Sequence, residues 1–189
     1  SMLDGFQNEL YRNGYDFLFH LVDEKSNVAI SAIELAKEKR LKGVIILGGM
    51  MENPSEDLEQ LAVPYVLCTV AHSMYTPTPN VNLVAIDDAM ESFKAVKYLI
   101  DKGHKRIAII SGREKDYAVG GQRLRGYKKA LEGAGIPIDD DLIGYMREDI
   151  PEFTTENGYA VAKELLQRTD FTALYCISDM TAIGAYKAI

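Results

Sequence analysis

The sequence predicts an α/β fold built on parallel sheets. Amphipathic helical patterns alternate with short apolar segments along nearly all of the 189 residues. Segments that are apolar almost throughout, such as residues 44–47 and 63–68, are typical of parallel strands buried on both faces. The helical segments between them supply the crossover connections that parallel pairing requires. We therefore expect parallel sheets with helices on both faces.

The apolar periodicity assigns the elements in order. Gly14 ends the first helix, Asn53 and Pro54 give the third an N-cap and a first helical proline, and Asp179 is expected to cap the last. Predicted helices cover residues 3–13, 26–40, 54–61, 89–102, 118–133, 156–168 and 180–189. Predicted strands cover residues 15–22, 44–47, 63–68, 83–86, 106–110, 142–146 and 171–177.

Composition narrows the class of protein. The formal net charge is −7, and the lysines and arginines are dispersed, so we expect this chain alone not to bind DNA. No apolar run approaches the roughly 20 residues that span a bilayer, and the start shows no secretory signal. Cys68 and Cys176 each lie in a predicted buried strand, which favours free thiols over a disulfide and fits a cytoplasmic location.

Signals for enzymes, metals and cofactors are weak. The sequence contains no dinucleotide-binding glycine motif, Walker-type loop, nucleophile elbow or zinc-protease motif. The three histidines are scattered, and no Cys-x-x-Cys occurs. We therefore expect a protein that is not an enzyme and that holds neither a metal nor a cofactor.

A ligand site is expected where the predicted strands end, because ligands of open parallel sheets bind beyond the carboxyl ends of the strands. That rule points to residues 48–49, Asp87, residues 111–112 and residues 178–179. The doublet Asp87 and Asp88 has two open interpretations. Asp88 caps the following helix, or Asp87 accepts hydrogen bonds from ligand hydroxyls.

An arginine pair and a loop phenylalanine also carry open alternatives. Arg123 and Arg125 lie two residues apart on a helix, so only one of them can easily face a cleft. Such an arginine is either solvated or positioned to bind a carboxylate or diol. Phe153 lies in a polar loop, where it either packs beneath the loop or stacks on a sugar or heterocycle.

Six motifs in order carry a family resemblance. Leu99 to Ile107 read Leu-Ile-x-x-Gly-His-x-Arg-Ile, and residues 123–131 read Arg-x-x-Gly-Tyr-x-x-Ala-Leu. The others are residues 40–49, 63–68, 84–88 and 157–159 together with 173–185. They resemble the effector-binding domains of the lactose-repressor (LacI/GalR) family. Asp88 and Ser178 stand where that family usually has asparagine, and Glu91 where it usually has glycine.

The resemblance implies two Rossmann-like subdomains of the type I periplasmic-binding-protein fold, residues 1–103 and 104–189, hinged near Gly103. It implies that Arg123 grips the effector and that Gly49 lines the cleft. Ser178 in place of asparagine puts one ligand hydrogen bond, and so the ligand's identity, in doubt. The predicted effector-binding residues are Gly49, Asp87, Tyr117, Arg123, Phe153, Ser178 and Asp179.

The resemblance also implies a function. The chain would sense a small sugar-like effector for a transcriptional repressor, as a homodimer, with closure changing operator affinity by about 1–3 kcal/mol. The family's helix-turn-helix, its first strand and its last C-terminal segments have no counterpart here, so we expect an incomplete domain that meets operator DNA only in an intact protein. The rival hypotheses are a periplasmic-type sugar-binding protein and an α/β enzyme.

Overall fold

The computed structural model describes residues 2–23, 26–49, 51, 54–70, 81–116 and 118–189. Within these ranges no helix is long and apolar enough to cross a membrane. The helices are α1 Met2–Arg12, α2 Val28–Lys39, α3 Pro54–Asp57, α4 Asp88–Asp101, α5 Val119–Gly133, α6 Thr155–Arg168 and α7 Asp179–Ala188, with a 3-10 turn at Asp140–Leu142. The strands are β1 Val44–Leu47, β2 Tyr65–Cys68, β3 Leu83–Val84, β4 Ile107–Ser111, β5 Ile143–Tyr145 and β6 Ala173–Cys176.

The strands form two parallel sheets, which confirms the predicted fold class. The first sheet has the order β1-β2-β3, and the second has the order β5-β4-β6. In the second sheet Ile109 lies opposite Ile143 on one side and Tyr175 on the other. All residues of β4 are buried, as expected for the central strand of a covered parallel sheet.

Helices cover both faces of the second sheet. Ile107 and Ile109 pack on one face with Tyr127, while Ala108 and Ile110 pack on the other with Val161. This division follows from the alternation of side chains along a strand. The second sheet therefore matches the expectation from its continuously apolar strands.

Among the described residues the first sheet is well covered on one face and only partly on the other, where Cys68 is buried and its Sγ lies 3.7 Å from Met2 Sδ of α1. Ile46 and Leu67 pack against the alanines of α2. Ile45 and Leu47, whose side chains alternate with Ile46, are 39% and 41% exposed. Val84 of β3 is exposed as well. An apolar run is compatible with burial on both faces, but burial also needs a covering element.

The strand predicted at residues 15–22 is wrong. This segment follows α1 without pairing to any strand in the described part of the chain. Tyr15, Phe19 and Leu21 are exposed. Alternating apolar residues favour a strand only where a neighbouring strand can take up the backbone hydrogen bonds. No described strand lies along the outer edge of β1.

Two helices differ from expectation at one end. The third helix ends at Asp57 rather than Leu61, and its predicted N-cap Asn53 lies outside the described residues. Asp179 does not cap the last helix. Ser178 does, through a capping box in which its side chain accepts from the backbone nitrogen of Thr181. Both side chains are suitable caps, and Ser178 occupies the extended residue before the helix.

The Gly-His-x-Arg segment joins α4 to β4 through local hydrogen bonds. Gly103 has φ +94, and the backbone nitrogen of His104 bonds back to the carbonyl of Leu99. The Arg106 guanidinium donates to the Asp170 carbonyl at 2.8 Å and to Thr169 Oγ1 at 2.7 Å. A left-handed glycine thus ends the helix, and the arginine ties the start of β4 to the segment that leads into β6.

Helix α4 packs against α5 at very short range because Gly126 has no side chain. A Cβ on Gly126 would collide with the Ala89 carbonyl and lie 2.8 Å from Cβ of Ser92. Val96 of α4 is fully buried in the core that β4 and α5 share. The helix before Gly103 therefore packs with the elements after it.

We expect Gly126→Ala to lower the free energy of unfolding by about 1–3 kcal/mol or more, since the methyl group would force two helices apart. Gly133→Ala, in the same helix, is the matched control. A Cβ at Gly133 meets nothing within 4 Å, so alanine should stabilise by up to about 1 kcal/mol through helix propensity. Urea denaturation of both variants measures the difference, and equal effects would contradict the packing described.

Exposed strand edges invite pairing between chains, so we expect this protein to self-associate through the open edge of β1 and the apolar segment beside it. Ile45→Lys places a charge on that strand and should reduce association. Ile138→Lys is the control, since Ile138 is similarly exposed (36%) but lies outside every strand. Light scattering at high concentration gives the readout. A monodisperse monomer before substitution would show that the edge is protected.

Candidate functional site

The candidate site centres on Arg123, in the first half of α5. Its Nε lies 2.8 Å from Asp88 Oδ1, and its Nη2 lies 2.8 Å from the same oxygen. Its Nη1 donates to the Ile177 carbonyl just beyond β6. The side chains of Arg123 and Asp88 are 25% and 18% exposed. The guanidinium is therefore held in place while part of it remains open to solvent.

The backbone around Arg123 is fixed as well. Ser92 of α4 is buried, and its Oγ donates to the Arg123 carbonyl at 2.6 Å. This hydrogen bond and the Asp88 ion pair both cross from α4 to α5. The position of Arg123 depends on α4 as much as on its own helix.

The two aspartates before α4 have separate roles. Asp87 is the N-cap, and its Oδ1 accepts from the backbone nitrogen of Met90 at 2.9 Å. The interpretation in which Asp88 caps the helix is therefore wrong. Asp88 starts the helix and turns its carboxylate toward Arg123 instead. Asp87 is exposed, and its contact with a ligand stays a prediction.

The second arginine of the pair contacts a different partner. Arg125 Nη2 donates to Gln122 Oε1, one turn away on the same helix. Arg123 instead reaches across to α4 and to the end of β6. This divergence follows from the roughly 200° between residues two apart on a helix.

Phe153 lies in the loop between β5 and α6, and its ring packs against the core that contains Tyr127. Its backbone is left-handed, with φ +55, and its nitrogen lies 3.3 Å from Met146 Sδ. The buried Asn157 holds this loop through the backbone of Arg147 and Ile150. The packing alternative thus accounts for the ring, while a left-handed phenylalanine is a strained conformation of the kind found at functional sites.

The end of β6 places Ser178 and Asp179 beside the carbonyl that receives Arg123. Ser178 Oγ is engaged in the capping box with Thr181, and Asp179 is exposed in the first turn of α7. Ser178 therefore offers a ligand less hydrogen-bonding capacity than an unengaged side chain would.

The remaining predicted positions lie at strand ends or outside the described chain. Gly48 and Gly49 follow β1 with φ +71 and +83, which suits glycine. Tyr117 lies outside the described residues. Ser111, at the end of β4, is buried, and its Oγ has no hydrogen-bond partner among the described residues. By strand alternation it shares a face with Ile109, the face that α5 covers.

No other chemistry is assembled in the part of the chain that the structure describes. It contains no group of three His, Cys, Asp or Glu side chains that could hold a metal ion. Cys68 and Cys176 are free thiols, and burial raises the pKa of Cys176 to about 11, which disfavours a nucleophilic thiolate.

Comparison with known proteins identifies the class. A family model described as periplasmic binding proteins and sugar binding domain of LacI family matches residues 1–189. The HTH-type transcriptional regulator MalR of Clostridium butyricum is 36% identical over 184 residues, 96% of this chain and 53% of that protein. The HTH-type transcriptional repressor CytR of Escherichia coli (strain K12) is 31% identical over 186 residues, 98% of this chain and 52% of that protein.

Solved structures of transcriptional regulators have a similar fold. The Escherichia coli transcriptional repressor ascG has a TM-score of 0.78 at 27% identity, covering 98% of this chain and 65% of that chain. A complex of the regulator CelR with cellobiose has a TM-score of 0.76 at 29% identity, covering 97% and 54%. A sugar-binding LacI-family regulator from Escherichia coli complexed with phosphate has a TM-score of 0.77 at 27% identity, covering 98% and 64%.

The fold and these matches define an α/β domain of the periplasmic-binding-protein type I class. More narrowly, the chain belongs to the LacI family and corresponds to the effector-binding domain of its transcriptional regulators. It spans about half the length of the curated relatives it matches.

Asp87 caps a helix and Asp179 does not, and the free energy of unfolding of their alanine variants distinguishes the two roles. Asp87→Ala removes a side-chain cap from α4 and should cost about 1 kcal/mol. Asp179→Ala leaves the Ser178 cap of α7 in place and should cost only a few tenths of a kcal/mol through the helix dipole. Urea denaturation of the two variants is the measurement. A larger loss at Asp179 would mean that the caps are assigned to the wrong residues.

Proposed function

We propose that this domain binds a small polyhydroxy effector, of the sugar class, in the space beyond the carboxyl ends of the strands. Arg123 is the principal contact, and the other six residues are Gly49, Asp87, Tyr117, Phe153, Ser178 and Asp179. The observation that carries the proposal is the fixed, partly open guanidinium at the strand ends. No bond is made or broken in the ligand.

The hydrogen-bonding capacity of Arg123 suits this role. A guanidinium has five N–H donors in a rigid plane. The contacts to Asp88 and Ile177 use three of them among the described residues. Two remain for a ligand, and a planar pair of donors matches adjacent sugar hydroxyls. Asp87 and Asp179 lie at the ends of β3 and β6, and their carboxylates can accept hydrogen bonds that sugar hydroxyl groups donate.

Effector binding would be read out by a change between the two sheet-containing units. The division at residues 1–103 and 104–189 stays a prediction. The family resemblance implies a hinge near Gly103, but α4 packs into the second core, so we propose that the hinge lies at residues 85–87, between β3 and α4. Asp88 follows this hinge directly, so a ligand on Arg123 would act next to the moving segment.

The regulatory setting completes the proposal. The chain would act in the cytoplasm as part of a homodimeric repressor, with operator contacts made by another part of the protein. The relatives named above are HTH-type transcriptional regulators, which favours this setting over a periplasmic binding protein or an enzyme. Met180, Ile183 and Tyr186 form an exposed apolar stripe on α7, which suits a dimer contact.

A thermal-shift panel of neutral sugars, with cellobiose among them, tests whether the domain binds this class. Calorimetry with a sugar that stabilises the protein then tests whether Arg123 contacts the ligand. Arg123→Ala should weaken binding by roughly ten- to hundredfold, because a charged hydrogen-bond donor is lost, worth about 1.5–3 kcal/mol. Arg125→Ala is the matched control on the same helix and should change affinity far less.

Circular dichroism of both variants checks that the fold is intact. Equal losses, or a greater loss at Arg125, would place the ligand on another face of α5. A panel in which no sugar stabilises the protein would argue against the sugar class itself.

A further inference from the structure

The ion pair between Arg123 and Asp88 bears on which ligands the proposed site can take. We infer that Asp88 sets the charge preference of the site: by neutralising Arg123 it makes the site accept uncharged polyhydroxy ligands and reject anionic ones. This inference rests on the proposed function, because it concerns the same arginine. It assigns Asp88 a specificity role that lies outside the seven predicted effector-binding residues.

The geometry of the pair supports this role. One carboxylate oxygen of Asp88 receives both Nε and Nη2 of Arg123 at 2.8 Å. Both side chains are mostly buried, so water screens the pair less than it screens a surface pair. An anion approaching the open side of the guanidinium would meet a cation whose charge is already matched, with a carboxylate immediately behind it.

The surrounding charges act in the same direction. Asp87 and Asp179 are the other charged side chains at the ends of β3 and β6, and both are acidic. Arg113, after β4, is paired with Glu152 at 3.1 Å. Arg147, after β5, is paired with Asp149 and Glu164 at 3.0 and 2.9 Å. Arg113 and Arg147 are thus matched by carboxylates, while Asp87 and Asp179 add negative charge.

A neutral ligand meets a different balance. Hydroxyl groups can accept from the two remaining N–H groups of Arg123 and donate to exposed carboxylates. Binding then leaves the ion pair intact and places no like charges together. A phosphate or carboxylate would have to compete with Asp88 for Arg123, and like charges in contact cost several kcal/mol in binding. The same residues therefore favour one charge class and oppose the other.

The substitution Asp88→Asn tests the inference. Asparagine keeps the size of the side chain and a carbonyl oxygen that can accept from Arg123, but it removes the negative charge. Inorganic phosphate is the anionic probe and cellobiose the neutral probe, both titrated by calorimetry. We expect the original protein to show no phosphate binding at millimolar concentration and Asp88→Asn to bind phosphate at least about tenfold more tightly.

Two controls locate the effect. Asp101→Asn removes the same charge from the same helix, where Asp101 pairs with Lys97 at 2.7 Å on the exposed side. It should leave phosphate affinity unchanged. The double variant Asp88→Asn with Arg123→Ala should lose the phosphate binding that Asp88→Asn gained. Thermal unfolding shows whether each variant is folded.

The outcomes separate this inference from the proposed function. Phosphate binding to the original protein, no gain in Asp88→Asn, or an equal gain in Asp101→Asn would each overturn the inference and leave sugar binding standing. If no neutral sugar binds but Asp88→Asn gains phosphate binding through Arg123, the charge role of Asp88 holds and the proposed sugar function fails.

Discussion

The close contact of α4 and α5 at Gly126 is the constraint on which the candidate site depends. It brings the α4 backbone against α5, so that Ser92 can reach the Arg123 carbonyl and Asp88 can reach its guanidinium. A side chain at position 126 would separate these helices. Residues 85–87 connect β3 of the first sheet to α4. The contact at Gly126 therefore holds the end of this connection against the second core.

The site is organised before any ligand arrives. Arg123 is oriented by one carboxylate and one backbone carbonyl, so its side chain has little rotamer freedom left to lose on binding. Phe153 and Ser178 are likewise engaged, one in packing and the other in capping α7. Both side chains at these strand ends therefore stabilise the fold. Among the described residues, the remaining donors of Arg123 and the carboxylates of Asp87 and Asp179 are not committed in this way to other protein groups, except that Asp87 also caps α4.

Local sequence patterns predicted most of the fold because they report properties of single elements. The strand at Val44–Leu47 and the helices α4 and α5 follow from apolar periodicity within a few residues. The strand prediction for residues 15–22 was wrong because a strand also needs a neighbouring strand, which no local pattern reports. The partial exposure of Ile45 and Leu47 on β1 has the same cause.

Some residues of the candidate site were predictable from the sequence, while their tertiary contacts were not. The rule for strand ends pointed to Asp87 and residues 178–179, and the motif on α5 pointed to Arg123. The pairing of Arg123 with Asp88 was missed, since the two lie 35 residues apart and meet only through tertiary packing. The Asp-Asp doublet was the available signal. It could not say which aspartate caps the helix, because both are suitable caps and the backbone conformation decides.

The central claim is that the guanidinium held by Asp88 is the contact point for the effector. A crystal structure of the protein with a neutral sugar that stabilises it tests this most directly. The account predicts a sugar oxygen within about 3 Å of an Arg123 nitrogen, with the Asp88 pair still formed. A sugar bound without any contact to Arg123 would contradict it.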